Sequence, residues 1–197
     1  MRHGSIRLPD EEKRYIGQTD RPVTQKGQAE IADGLQRMER QFGRADEIWS
    51  SDLGRCVEAA ECAAEYFGVP YQTDRRLREI DLGEWEGKTF RDIRREFPEE
   101  YRMRGEHLGT YHPPGGENFR QVMMRAVQFT KERVQCLQEE KVLLFITHAG
   151  VIRTLCCCRD GRNPDELLHY RIGYGEYMVW EAERSDMMGR LKDQGYH

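Results

Sequence analysis

Long apolar stretches are what this sequence most clearly lacks. The longest uninterrupted run is Val142-Leu143-Leu144-Phe145-Ile146, far short of the roughly 20 residues that carry a helix across a bilayer. The opening Met1-Arg2-His3-Gly4 has no apolar stretch of the kind a secretory signal needs. A charge excess is missing too. With 31 Lys+Arg against 35 Asp+Glu, the net charge is -4, which gives no reason to expect nucleic acid or an acidic membrane surface as a partner. Paired Cys-x-x-Cys spacing is absent. Cys156, Cys157 and Cys158 are consecutive, and Cys56, Cys62 and Cys136 fall in helical stretches. The cysteines therefore read as reduced, mostly buried thiols rather than disulfides or metal ligands. No internal repeat and no low-complexity linker interrupts the chain. These absences predict one domain over residues 1–197, cytoplasmic, with no metal and no cofactor.

Aromatic residues, by contrast, are plentiful: three Trp, nine Tyr and seven Phe argue for a packed core. The periodicity alternates between helix and strand. Helices are predicted over 24–42, 53–67, 89–97, 99–106, 117–139 and 149–158, with Thr24 as a cap and Gly68 and Pro70 as a stop. Strands are predicted at 47–50, 71–73, 142–147 and 177–180, with 190–192 as a further candidate. The run over 142–147 is apolar enough for a strand buried on both faces, as in a parallel sheet. The order is that of an α/β protein.

Chemistry can sit in four places: Arg2-His3-Gly4, Ser50 to Arg55, Leu77 to Gly87, and Thr147 to Val151. Two of them follow a predicted strand and open a helix, where open α/β sheets bind ligands and where free N–H groups meet anions. Two His, two Arg and one Glu suit phosphoryl transfer through a phosphohistidine. Neighbouring guanidiniums disfavour the imidazolium and keep the nucleophile free. They also bind phosphoryl oxygens in a bidentate fork and stabilise charge in transit. A carboxylic acid protonates the leaving alkoxide. Each residue alone has a plainer reading. A turn histidine is usually solvated, Arg55 fits a helix surface, and Glu79 sits in an acidic stretch. His107, His112, His169 and His197 read as structural or surface residues.

The four places taken in order resemble the histidine phosphatase superfamily, of phosphoglycerate mutase-like fold. Arg2-His3-Gly4 is similar to its signature tripeptide, and Gly17 to Gly27 to its turn into the first helix. Ser50-Ser51-Asp52-Leu53-Gly54-Arg55 resembles the family's SSDLxRA segment, with Cys56 where Ala is usual. Leu77 to Gly87 resembles LxExxxGxWEG, and Pro114-Gly115-Gly116-Glu117 before a helix is also typical. Thr147-His148-Ala149-Gly150-Val151 is similar to xSHxGVxR, with Arg153 in the final position.

The resemblance implies a three-layer α/β/α fold with a mostly parallel central sheet. It implies His3 as phosphorylated nucleophile, Arg2, Arg55 and His148 as the phosphate pocket, and Glu79 as acid and then base. Gly17, Gln18 and Thr19 would line the substrate entrance. Ala149 after His148 departs from the branch whose donor is the Asp of a His-Asp pair, and favours the branch using Glu79. The implied activity is metal-independent hydrolysis of a small phosphorylated metabolite. Within the family the pattern is most similar to α-ribazole phosphatase-like members, of cobalamin assembly. Phosphoglycerate mutase-type transfer is the alternative, and Pro9 stands where those mutases usually carry Asn.

In the family a strand of five or six apolar residues leads into the tripeptide, whereas here only Met1 precedes Arg2. This predicts a missing first strand, a chain truncated or fused to other segments, and a poorly anchored His3. A catalytically poor binding or regulatory domain of the same fold is then a further alternative. A homo-oligomer stays open.

Overall fold

The computed structural model describes residues 1–181. Helix α1 spans Gln25–Phe42, and the Thr24 side chain accepts from Gly27 N at 3.0 Å to cap it. Strand β1 is Glu47–Ser50 and helix α2 is Gly54–Phe67. Gly68 closes α2 at φ 67°, a left-handed conformation that only glycine adopts without strain. Strand β2 is Tyr71–Thr73. Helices α3 (Phe90–Glu96) and α4 (Pro98–Glu106) follow, then α5 (Phe119–Cys136), opened by a capping box between Asn118 and Gln121. Strand β3 is Leu143–Ile146 and helix α6 is Ala149–Arg159. Among the described residues, no helix is long and apolar enough to cross a membrane.

The sheet order is β2-β1-β3, and both pairings are parallel. In register, Ile48 faces Tyr71 on one side and Leu144 on the other, and Ser50 faces Ile146. The pleat sends side chains to two layers. Ile48, Leu144 and Ile146 pack with Ile31, Leu35 and Met38 of α1 and with the alanines of α2. Trp49 and Phe145 pack on the opposite face with Phe129 of α5 and Leu77. Helix α6 packs on α5, so helices cover both sides of a parallel sheet. This is the three-layer arrangement expected. A second core gathers Tyr15, Trp85, Ile93 and Phe119, against which Phe97 and Tyr101 lie.

The carboxyl end of β3 adjoins Met1 to His3. Thr147 N donates to Met1 O at 2.9 Å and His3 N donates to Thr147 O at 3.1 Å. On the other side, Arg2 N donates to Glu176 O at 2.8 Å. Arg2 and Thr147 thus form a single parallel bridge, and no strand of this sheet precedes the tripeptide among the described residues. His3 is nonetheless held at its backbone, contrary to the loose placement expected. The Met1 amino group donates to Phe145 O at 2.5 Å, and burial pushes its pKa down to about 5.

Two sequence expectations are corrected. Tyr177 to Trp180 forms no strand. Its backbone pairs with no strand among the described residues, and its side chains serve as packing instead. Tyr177 covers the α1–α2 core, while Met178 and Trp180 cover Ile152, Cys156 and Ile172. Residues 190–192, also read as a strand candidate, lie outside the described residues. Cys62 and Cys136 are exposed, because each faces away from the core on its helix. The cysteines Cys56, Cys156 and Cys157 are buried as expected.

Candidate active site

The sheet places His3, Ser51 and His148 together, because the tripeptide lies beside Thr147 and β1 is paired in register with β3. The His3 and His148 rings meet edge-on with centroids 5.2 Å apart. His3 Nδ1 lies 2.7 Å from Gly4 O. A carbonyl only accepts, so Nδ1 carries the proton and Nε2 keeps its lone pair. His3 is 5% exposed. Burial first, and then the Arg55 charge, push its pKa down from 6.5 to about 3. It is therefore a neutral imidazole at ordinary pH. His148 is fully buried, and burial and Arg55 hold its pKa well below the usual histidine value. Its Nε2 is hydrogen-bonded to Ser51 Oγ at 2.9 Å, and Cys56 Sγ lies 3.4 Å away.

Two arginines converge on the pair. Arg55 enters from the first turn of α2 and is 1% exposed. It donates to Thr19 O at 3.0 Å and to Gly17 O at 2.5 Å, and its Nε has no partner among the described residues. A buried guanidinium with an unused donor is arranged for an anion. Arg2 donates to Ile172 O at 2.9 Å and stacks on the Tyr174 ring at 3.6 Å. Its Nε is likewise buried and unpartnered among the described residues.

Glu79 stands at the start of α6. Its carboxylate accepts from Ile80 N at 3.0 Å and from Gly150 N at 3.1 Å. Gly17, Gln18 and Thr19 form a turn beside Arg55. The Gln18 side chain reaches Glu79 O at 3.4 Å and accepts from Arg78 at 3.3 Å. The structure therefore brings together every residue that the sequence singled out: Arg2, His3, Gly17, Gln18, Thr19, Arg55, Glu79 and His148.

Other residues of the site went unread. Arg125 of α5 donates to the carbonyls of Arg76, Arg78 and Glu79 at 2.7, 2.6 and 3.1 Å, fixing the backbone that bears Glu79. Tyr174 packs on both Arg2 and His3. Glu86 receives the N–H groups of Gly17, Gln18 and Thr19. For Glu86 a signal existed, its place in the Trp-Glu-Gly stretch. Arg125 and Tyr174 sit in no pattern that distinguishes them from surface residues. A neutral imidazole flanked by the buried Arg55 and the half-buried Arg2 can accept a phosphoryl group, and the Glu79 carboxyl group at the first turn of α6 can supply a proton to the leaving group. Among the described residues, no group of His, Cys, Asp and Glu is placed to hold a metal ion.

Known proteins share this frame. YhfR of Bacillus stearothermophilus superposes with a TM-score of 0.78 at 34% identity, covering 88% of this chain and 84% of its own. A mycobacterial glucosyl-3-phosphoglycerate phosphatase, solved with vanadate, superposes with a TM-score of 0.78 at 25% identity over 88% and 87% of the two chains. In sequence, the chicken 6-phosphofructo-2-kinase/fructose-2,6-bisphosphatase is 31% identical over 63% of this chain and 25% of its own length. A bifunctional protein of Mycobacterium tuberculosis is 31% identical over 79% of this chain and 42% of its own. The chain thus spans less than half the length of these curated relatives. The family model described as the histidine phosphatase superfamily (branch 1) matches residues 1–191, and this chain belongs to that superfamily.

Proposed function

We propose that this chain is a phosphomonoester hydrolase that works through a phosphohistidine at His3 and requires no metal. The observation that carries this reading is the His3 Nδ1 contact with Gly4 O, which leaves Nε2 as a free nucleophile in a ring kept neutral. In the first step Nε2 attacks phosphorus, the N–P bond forms, and the ester P–O bond breaks. The alkoxide takes its proton from Glu79. In the second step Glu79 takes a proton from water, the water oxygen attacks phosphorus, and inorganic phosphate leaves as the N–P bond breaks. Arg2, Arg55 and His148 hold the phosphoryl oxygens throughout, supplying charge where it develops.

The substrate is a small phosphorylated metabolite, and the reaction is placed in the cytoplasm, where thiols such as those of the exposed Cys62 and Cys136 stay reduced. The panel to test is α-ribazole 5′-phosphate, from the resemblance in sequence pattern, and glucosyl-3-phosphoglycerate and fructose 2,6-bisphosphate, from the names of the similar proteins, with p-nitrophenyl phosphate as a general ester. The proposal expects hydrolysis of at least one ester that is unchanged by EDTA. No hydrolysis across the panel, or activity abolished by EDTA and restored by a divalent ion, counts against it.

A further inference from the structure

Glu86 is not near His3 in any contact described, yet it holds the loop that holds Arg55. Its two carboxylate oxygens accept five donors: Gly17 N at 3.2 Å, Gln18 N at 2.6 Å, Thr19 N at 3.2 Å, the Thr19 hydroxyl at 2.7 Å and Leu82 N at 3.3 Å. Three successive N–H groups converging on one anion form a concave backbone nest. The same loop turns its carbonyls the other way, and Gly17 O and Thr19 O receive the two terminal nitrogens of Arg55. The loop is therefore gripped on its donor side by a carboxylate and on its acceptor side by a guanidinium. Gly17 is suited to this place: a Cβ there would lie 2.1 Å from Ile80 O and 2.4 Å from Glu86 Oε1.

We infer that Glu86 is a positioning residue for phosphate binding, acting through the backbone of Gly17 to Thr19 to fix the guanidinium of Arg55. Free to move, an arginine points its fork in many directions. Here both terminal nitrogens are tethered, which leaves Nε and the remaining N–H vectors in a set orientation for the phosphoryl oxygens. Without the carboxylate the three N–H groups of the loop lose their shared acceptor, the loop relaxes, and the carbonyls that aim Arg55 move with it. This inference rests on the proposed phosphate pocket and adds to it a residue that touches no substrate.

A double-mutant cycle tests it, read as binding of inorganic phosphate and of vanadate by calorimetry, so that no turnover is needed. Glu86→Gln keeps the size of the side chain but replaces one acceptor oxygen with a donor. It is expected to weaken phosphate binding about tenfold when Arg55 is present. In an Arg55→Lys background, the same change is expected to have little further effect, because the group it orients is gone. Thr19→Val removes the hydroxyl donor to Glu86 and spares the backbone. It should show the same dependence on Arg55 at smaller size, and it serves as the readout if Glu86→Gln does not fold. Equal losses in both backgrounds overturn the inference, since a merely structural role would add independently. A parent chain that binds neither anion overturns it together with the proposed function, whereas a parent that binds both with additive losses overturns the inference alone.

Discussion

Gly150 donates its N–H to Glu79 Oε2 at 3.1 Å, and a Cβ on Gly150 would lie 2.2 Å from Glu79 Oε1. The first turn of α6 thus both anchors the carboxyl group and, with no side chain at Gly150, leaves it room. Gly150→Ala is expected to displace Glu79, with the Phe119 ring 2.7 Å from the new methyl closing the other way out. A roughly tenfold loss of kcat should follow, with a small change in Tm. Wild-type kcat in this variant would show that the Glu79 position is not critical.

Glu79→Gln separates acid catalysis from general damage. An amide cannot protonate an alkoxide, so esters of poor leaving groups should slow by about 100-fold or more. The p-nitrophenyl ester, whose phenolate leaves without help, should slow far less. Comparing kcat on the two esters checks this. Equal losses on both would remove Glu79 from the acid role.

The proposed site residues were legible because each sits in a short contiguous segment, two of which, those of Arg55 and His148, lie where a strand ends and a helix begins. His148 follows the most apolar run of the chain, and Arg55 opens the helix after Ser50-Ser51. What was not legible is held by distance. Gln18 and Glu86 are separated by 68 residues and Arg125 and Glu79 by 46, and no local pattern pairs them. Tyr177 to Trp180 misled for a related reason. Its composition suits a strand, but a strand exists only where a neighbour pairs with it. The Met1 to His3 segment holds His3 by hydrogen bonds to Thr147, a placement that the sequence could not supply.

Neither arginine should tolerate replacement by lysine. Arg55→Lys keeps the charge but has one nitrogen where arginine has three, so it cannot hold Gly17 O and Thr19 O in the planar fork and still present a separate Nε donor. Vanadate inhibition should weaken by roughly 10- to 100-fold. Arg2→Lys also loses the stacked contact with Tyr174 and should weaken vanadate in the same direction. Inhibition at unchanged affinity in either variant would take that arginine out of the phosphate pocket.

Stability should depend on pH through His3 and His148. The folded chain holds His3 neutral down to about pH 3, while in the unfolded chain it titrates near 6.5. Between those values the unfolded state binds more protons, so stability rises with pH through that window and levels off above 6.5. His148, whose pKa is lowered in the same direction, adds to the slope. Each histidine contributes up to about 1.4 kcal/mol per pH unit where it is charged only when unfolded. Urea denaturation at pH 4.5, 5.5, 6.5 and 7.5 measures this, and His3→Gln should flatten the acid side. Equal stability of the parent at pH 4.5 and 7.5 would mean that these rings are not held neutral.

The most direct measurement is rapid-quench trapping of the enzyme with a 32P-labelled ester, followed by peptide mapping. Phosphate should appear on the chain within one turnover, stable in base and released by acid as a phosphoramidate is, on the peptide containing His3. His3→Ala should trap none and retain less than about 1% of activity. Label on another residue, an acid-stable phosphoester, or an intermediate that persists in His3→Ala would contradict the assignment of His3 as the nucleophile.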